Sequence, residues 1–312
     1  MNTAQKKPES IIISEIVGEL GLLNIENETD ISLKRFSTFA IGGTASLAVF
    51  PKSKDALKAA VESANKYNIP YEVIGRGSNV LFSDNGYDGM IIFTSQMRQI
   101  RVLPDGTIHS EAGANLTALS VKAASESLSG LEFACGIPGS CGGAVYMNAG
   151  AFGGEISNVL EYSEYYDTNT KSFIRLHKNA HDFSYRHSIY SDNKHMIITD
   201  AVFKLERGNK DDIKSRMDEY TLRRRTTQPH EYPNAGSIFK RPANGFAAKM
   251  IDDCGLKGMT VGGAQVSEKH AGFIVNKGNA TAENVLELIS EIKERVRISF
   301  GVELECEIKI IK

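Results

Sequence analysis

The sequence has no excess of charge of either sign. Its 36 Lys and Arg stand against 38 Asp and Glu, a net charge of −2, so no broad basic field awaits nucleic acid. No apolar run approaches the roughly 20 residues that a membrane span needs. Cysteine is scarce: Cys135, Cys141, Cys254 and Cys306 have no spacing of a disulfide frame or a zinc site, and no metal is expected. The N-terminus carries lysines but only a three-residue apolar core and no small-residue cleavage site, which makes a poor signal peptide. A reducing cytoplasm is the expected setting. No stretch matches the P-loop or the Rossmann fingerprint.

The sequence does hold an unusual concentration of glycine. Within 312 residues of ordinary soluble composition, 41% hydrophobic and 24% charged, the stretch GIPGSCGGAVYMNAGAFGG runs from Gly136 to Gly154. Seven of its nineteen residues are glycine, so neither an ordinary helix nor a strand is expected there. A flexible linker would carry serine and charge rather than Val145-Tyr146-Met147. The stretch reads instead as bare main chain able to approach a ligand closely, with N–H groups that can turn together onto an anion. A second glycine turn, Gly75-Arg-Gly-Ser-Asn79, follows a strand. Two such turns facing one another could hold a diphosphate.

The rest of the chain reads as mixed helix and strand. Ile12, Ile16, Val17 and Leu20 predict a helix over 10–23, and residues 26–33 a loop or edge. A strand over 45–50 precedes an amphipathic helix over 54–67, then a strand over 71–74. Short strands are expected over 90–93, 101–103 and 108–111, with a helix over 116–126. Segments 159–167, 172–176 and 196–205 alternate like a mostly antiparallel sheet. Composition changes after Leu205. There follow a charged helix over 210–225, a turn-rich linker over 226–233, a helix over 247–253 and turns over 255–263. A strand over 272–275, a long helix over 281–300 capped by Gly301, and a last strand over 302–311 complete the chain.

Several polar groups could carry chemistry. His177 and His181 stand at i and i+4, but with no third ligand they read as solvated surface groups. Arg223, Arg224 and Arg225 close a helix, where cations suit the dipole, and equally offer an anion site. Arg186 lies among aromatics, either as a cation–π partner or as a clamp for a carboxylate. Ser237 follows a glycine turn. Glu303, Glu305 and Glu307 alternate along the last strand, and one of them could face a cleft.

Taken in order, Thr38-Phe-Ala-Ile-Gly-Gly43, Gly75-Arg-Gly-Ser-Asn79, Gly136-Ile-Pro-Gly139, Met147-Asn-Ala-Gly-Ala151, Tyr185-Arg186, Asn234-Ala-Gly-Ser-Ile-Phe-Lys240 and residues 304–307 resemble the UDP-N-acetylenolpyruvoylglucosamine reductases. Those flavoenzymes complete UDP-N-acetylmuramate for peptidoglycan. The resemblance implies an α+β fold, with a two-subdomain FAD-binding module of the vanillyl-alcohol-oxidase (PCMH) type and a C-terminal α/β substrate domain. The expected units are residues 1–95, 96–206 and 207–312. It implies non-covalent FAD held by Thr38, Gly42, Gly43, Gly75, Arg76, Gly77, Ser78, Asn79, Gly136, Ile137, Pro138, Gly139, Gly143, Asn148, Ala149 and Gly150. NADPH is the implied reductant and a UDP-sugar enolpyruvyl ether the substrate.

Three catalytic roles carry over with the resemblance. Arg186 polarises the enolpyruvyl carboxylate, Ser237 donates a proton, and Glu307 is the acidic residue of the last strand; because serine is a weak acid, Lys240 is the expected helper that stabilises its alkoxide. Some members carry an extra tyrosine loop after the Tyr-Arg pair. Here Met196 follows Arg186 by only ten positions, which marks the shorter class. Tyr185, Arg225, Lys240 and Arg241 are therefore the expected substrate contacts, with Arg225 and Arg241 on its diphosphate. A monomer is implied, with no nucleic-acid or membrane partner. The alternatives are another oxidoreductase of the same flavin fold, or a non-catalytic nucleotide-binding protein, which would not need Arg186, Ser237 and Glu307 together.

Overall fold

The computed structural model describes residues 9–312. In the first unit, strands Glu26–Ser32, Thr44–Phe50, Tyr87–Phe93 and Tyr71–Ile74 form a four-stranded sheet in that order. The first pair is antiparallel and the others are parallel. Both faces of the central strands are buried, which is why they read as continuous apolar runs. Leu47, Val49, Met90 and Ile92 meet the helices Glu9–Leu22 and Lys54–Tyr67, while Ala48, Phe50, Ile91 and Phe93 fill the opposite face. Ser53 starts the second helix by accepting from the Ala56 N–H, and left-handed Asn68 stops it.

The second unit is a five-stranded antiparallel sheet, in the order Ser172–His177, Leu160–Asp167, Met196–Phe203, Ile108–Glu111, Ile100–Val102. Helices Leu116–Ser125 and Cys141–Tyr146 share its core. The second of these corrects an expectation, because part of the glycine-rich stretch is helical. Ser140 caps it by accepting from the Gly143 N–H. The missing side chains let it lie close: a Cβ on Gly142 would sit 2.9 Å from Ala112 Cβ. Tertiary packing overrides propensity here. His181 is the second correction. It is fully buried, stacked on Phe183, with Nε2 2.7 Å from Ser163 Oγ and Nδ1 3.0 Å from the His177 carbonyl. Burial holds its pKa below the ordinary value. His177 ends a strand and is exposed.

The charged helix, Lys210–Thr227, runs two residues into the expected linker. Beyond it, strands Asn234–Ser237, Phe273–Asn276, Ala264–Val266 and Thr260–Val261 form a second antiparallel sheet, flanked by helices Ala247–Asp253 and Ala282–Phe300. The expected strand over 302–311 is regular only at Lys309–Ile311, and this piece pairs in parallel with Val80–Phe82 of the first unit. The chain between crosses from one unit to the other and makes a single bridge, Phe239 to Cys306.

The units share cores. Phe39, Ile41 and Leu81 are buried in the cluster of the third unit, and Tyr166 and Ile197 in that of the first. Asp84 of the first unit caps the long helix of the third, accepting from the N–H groups of Ala282 (2.8 Å) and Glu283 (3.0 Å). Replacing Asp84 with alanine is expected to cost about 1 kcal/mol, the usual worth of a helix cap. A urea-unfolding midpoint equal to wild type would show that the cap does not hold the units together.

Candidate active site

A cavity of about 1180 Å³ opens where the three units meet. That exceeds the roughly 300–1,000 Å³ of a single small-molecule pocket. Residues 75–79 and residues 137–140, 142–144 and 149–151 line it, together with Ser237 and Glu307. The two turns touch so closely that a Cβ on Gly75 would lie 2.0 Å from Ser140 Oγ. Among the described residues, no protein group accepts from the main-chain N–H groups of residues 75–79. A run of unpaired amides on a cavity wall is an anion cradle. The residues present therefore fit a dinucleotide such as FAD, whose diphosphate these amides would hold.

Three polar side chains, Arg186, Ser237 and Glu307, line the same cavity. Arg186 stands at the corner of a two-residue turn whose flanks, Ser184 and His187, exchange both main-chain hydrogen bonds. Its φ of 56° is left-handed, a strained state for a long side chain and one that proteins keep mainly at functional sites. From there Nε donates to Glu307 Oε1 at 2.8 Å, and both Nη atoms lie 3.4 Å from the Gly150 carbonyl. The side chain of Glu307 is only 13% exposed. Burial pushes its pKa up, against the opposing pull of Arg186 and then Lys240.

Ser237 reaches the cavity because its strand is bulged. Asn234 pairs with Val275 but Ser237 with Phe273, so one extra residue is accommodated, and Gly236 takes φ 78°. A bulge of this kind re-aims the following side chain. The segment of Glu307 lies alongside, its N–H donating to the Ile238 carbonyl at 2.8 Å. Arg186, Ser237 and Glu307 thus line one cavity, although Arg186 and Glu307 are 121 positions apart.

The chain matches two family models: a FAD binding domain over residues 45–171, and the C-terminal domain of UDP-N-acetylenolpyruvoylglucosamine reductase over residues 228–311. It is 44% identical over 306 residues to the UDP-N-acetylenolpyruvoylglucosamine reductase of Clostridium novyi, covering 98% of this chain and 95% of that one. The chain belongs to the UDP-N-acetylenolpyruvoylglucosamine reductase family. Reductase 2 of Bacillus cereus is 45% identical over 282 residues, with 90% of this chain and 92% of the relative covered. The crystal structure of the Thermus caldophilus reductase superposes with a TM-score of 0.79 at 34% identity, over 92% of this chain and 99% of that one. The expected fold stands with the family: a two-subdomain FAD module and a C-terminal domain.

Not every residue expected from the family motifs lines the cavity. Thr38, Gly75, Arg76, Gly77, Ser78, Asn79, Ile137, Pro138, Gly139, Gly143, Ala149 and Gly150 do. Gly42 and Gly43 lie outside the lining, where added Cβ atoms would strike Phe82 Cβ at 2.7 Å and the Asp84 carbonyl at 2.3 Å. They are packing glycines. Gly136 also stands back, against the Arg224 stem. Asn148 is buried, with both ends of its amide bonded inside the protein, to Ser184 O at 3.1 Å and the Ser157 N–H at 2.9 Å. Its side chain braces the loop.

Tyr185, Lys240 and Arg241 line a second cavity of about 500 Å³. Tyr185 Oη accepts from the Arg241 N–H at 3.2 Å, and Lys240 Nζ is 2.6 Å from Glu305 Oε1. Lys240 is thus paired with Glu305 and lines the second cavity, whereas Ser237 lines the first. Arg225 is exposed and lines neither cavity. Of the three arginines, Arg224 lines the main cavity. It is buried, donates from Nε to the Cys135 carbonyl at 3.2 Å, and has no partner for Nη2 among the described residues. The signal was present in the sequence: Ile213, Met217 and Arg224 repeat at helical spacing and share the buried face. Ser140, the helix cap within the second turn, lines the cavity as well.

Gly75→Ala is expected to weaken FAD binding at least tenfold, because the new methyl must displace Ser140. The double variant Gly75→Ala/Ser140→Gly, which removes the obstructing side chain, should recover most of the loss. Flavin fluorescence titration of the apoprotein measures both. Equal affinity of Gly75→Ala and wild type would mean that the two turns do not form the cradle.

Proposed function

We propose that this chain reduces UDP-N-acetylglucosamine enolpyruvate to UDP-N-acetylmuramate with NADPH and non-covalent FAD, for peptidoglycan precursor synthesis. The observation that carries the reading is the 2.8 Å contact between Arg186 and a buried Glu307, in a cavity that also holds Ser237 and a wall of unpaired amides. FAD, when bound, supplies two-electron transfer between the nicotinamide and the enolpyruvyl double bond.

The protein's own groups do the rest. Arg186 faces the enolpyruvyl carboxylate, where negative charge grows as the double bond is reduced. A fixed guanidinium in a water-poor site stabilises that charge more than it stabilises the ground state. Glu307 works in its neutral form, which burial favours, so that it hydrogen-bonds without cancelling the charge of Arg186. The Ser237 hydroxyl gives the proton to the adjacent carbon. Lys240 assists by its charge near Glu305 and Glu307, and with Tyr185 and Arg241 it lines the smaller cavity that receives the UDP end of the substrate. All these residues come from one chain, which suits a monomer. Four free cysteines suit a reducing cytoplasm. No described helix is long and apolar enough to cross a membrane.

The yellow holoprotein should bleach with NADPH and regain its colour anaerobically on adding the enolpyruvyl UDP-sugar. Bleaching without recovery would refute the assignment. Ser237→Ala should bleach normally and recover its colour about 10²–10⁴-fold more slowly, the usual contribution of a positioned proton donor. Normal turnover of that variant would remove Ser237 from the mechanism. The pH dependence has a defined sign. Neutral Glu307 is the working form, so the recovery rate should fall as pH rises through its raised pKa. Glu307→Gln, which stays neutral, should lose that limb; an unchanged limb would assign it to another group.

A further inference from the structure

The residue that joins the three units at the site is Asn79. Its Nδ2 donates to the main-chain carbonyl of Glu307 at 3.0 Å. Its own carbonyl accepts from the Lys309 N–H at 3.0 Å. The same Nδ2 lies 3.7 Å from Met147 Sδ, on the loop of the second unit. Asn79 is also the last residue of the 75–79 turn, which lines the cavity and whose main-chain N–H groups have no acceptor among the described residues.

The strand beyond Glu307 is held by the residues that follow Asn79. Val80 pairs with Lys309 and Phe82 with Ile311, and the Ser83 N–H donates to the Ile311 carbonyl at 2.8 Å. Ile311 is buried among Val80, Phe82 and their neighbours, and Lys309 Nζ reaches Glu72 Oε2 at 2.8 Å. Glu307 is thus fixed from two sides, by Asn79 through its carbonyl and by Ile238 through its N–H. The Nδ2 of Asn79 is committed to the chain at Glu307 and to Met147.

We propose that Asn79 is a positioning residue. It sets the carboxyl of Glu307 against Arg186, and it couples occupancy of the 75–79 turn to docking of the terminal strand. An anion that orders the turn orders Asn79, and Asn79 orders the strand. By reciprocity a docked strand favours the occupied turn. The placement rests on the structure alone, and its effect on rate rests on the function proposed above for Glu307.

Asn79→Asp tests this, because it keeps the shape and replaces the donor with an acceptor facing a carbonyl. Loss of a part-buried hydrogen bond of this kind changes a local equilibrium up to about tenfold. Deuterium exchange of a peptide spanning residues 304–312 should therefore quicken about tenfold in the variant. In wild type, adding FAD should slow exchange of the same peptide. In stopped flow at saturating FAD, recovery with the enolpyruvyl UDP-sugar should slow about tenfold and its high-pH limb should shift. Unchanged exchange and recovery would overturn the proposal. So would loss of flavin affinity with unchanged exchange, which would make Asn79 a direct cofactor ligand.

If Asn79→Asp does not fold, Lys309→Pro deletes the N–H that Asn79 accepts and should give the same pattern from the other side; normal exchange and recovery in that variant also overturn the proposal. Wild-type protein that bleaches but never recovers would sink the functional reading instead, and the exchange measurements would still decide the positioning.

Discussion

A carboxyl held out of water beside a guanidinium is the constraint on which the site depends. Bringing Glu307 to within 2.8 Å of Arg186 costs desolvation of both groups. A buried ion pair recovers that cost only when other contacts hold the partners in place. Here the Gly150 carbonyl lies behind the guanidinium, and Asn79 and Ile238 grip the main chain of Glu307. The pair is therefore a result of the fold and not a source of its stability. Stability comes from apolar burial elsewhere, in clusters that take residues from more than one unit.

That sharing explains why a large cavity survives at the junction. Phe39, Ile41 and Leu81 plug the first unit into the core of the third, and Tyr166 and Ile197 do the same between the second and the first. The seams are sealed by these side chains on either side of the cavity. Where the two glycine turns meet, the wall between them has little side chain to fill the space. At Gly75 the two turns meet in a contact that no side chain allows, so a gap narrow enough for backbone amides to line persists. The N–H groups of residues 75–79, which have no acceptor among the described residues, lie in residues that line the cavity, where an anion could bond them.

Much of this was legible in the sequence, for identifiable reasons. Helices with strong caps, such as those opened by Ser53 and Thr281, announced themselves, because cap chemistry and periodicity are local. The motifs of the cradle were legible because glycine is written into the sequence wherever a Cβ has no room. Which glycines face a ligand was not legible. Gly42 and Gly43 carry the same local signature as Gly75, yet they pack on Phe82 and Asp84. The short helix Cys141–Tyr146 was hidden because long-range packing on Ala112, not propensity, forms it. The last strand was overdrawn because alternation of Glu303, Glu305 and Glu307 cannot reveal that the chain changes units midway. His181 was misjudged because its partners, Ser163 and Tyr190, lie in other segments.

The proposed catalytic trio is divided unequally, and the division has a chemical consequence. Ser237 and Glu307 ride on adjacent segments tied by two main-chain hydrogen bonds, from the Glu307 N–H to Ile238 and from the Lys240 N–H to Glu305. Arg186 arrives from the second unit on a strained turn. One guanidinium cannot serve two carboxyls equally. On the proposed reading, a substrate carboxylate that engages Arg186 withdraws the strongest influence that keeps the proton affinity of Glu307 down. It also brings a like charge near Glu307, and both changes favour the neutral acid. Substrate binding would therefore prepare its own acid form, with no group added beyond the two already in contact.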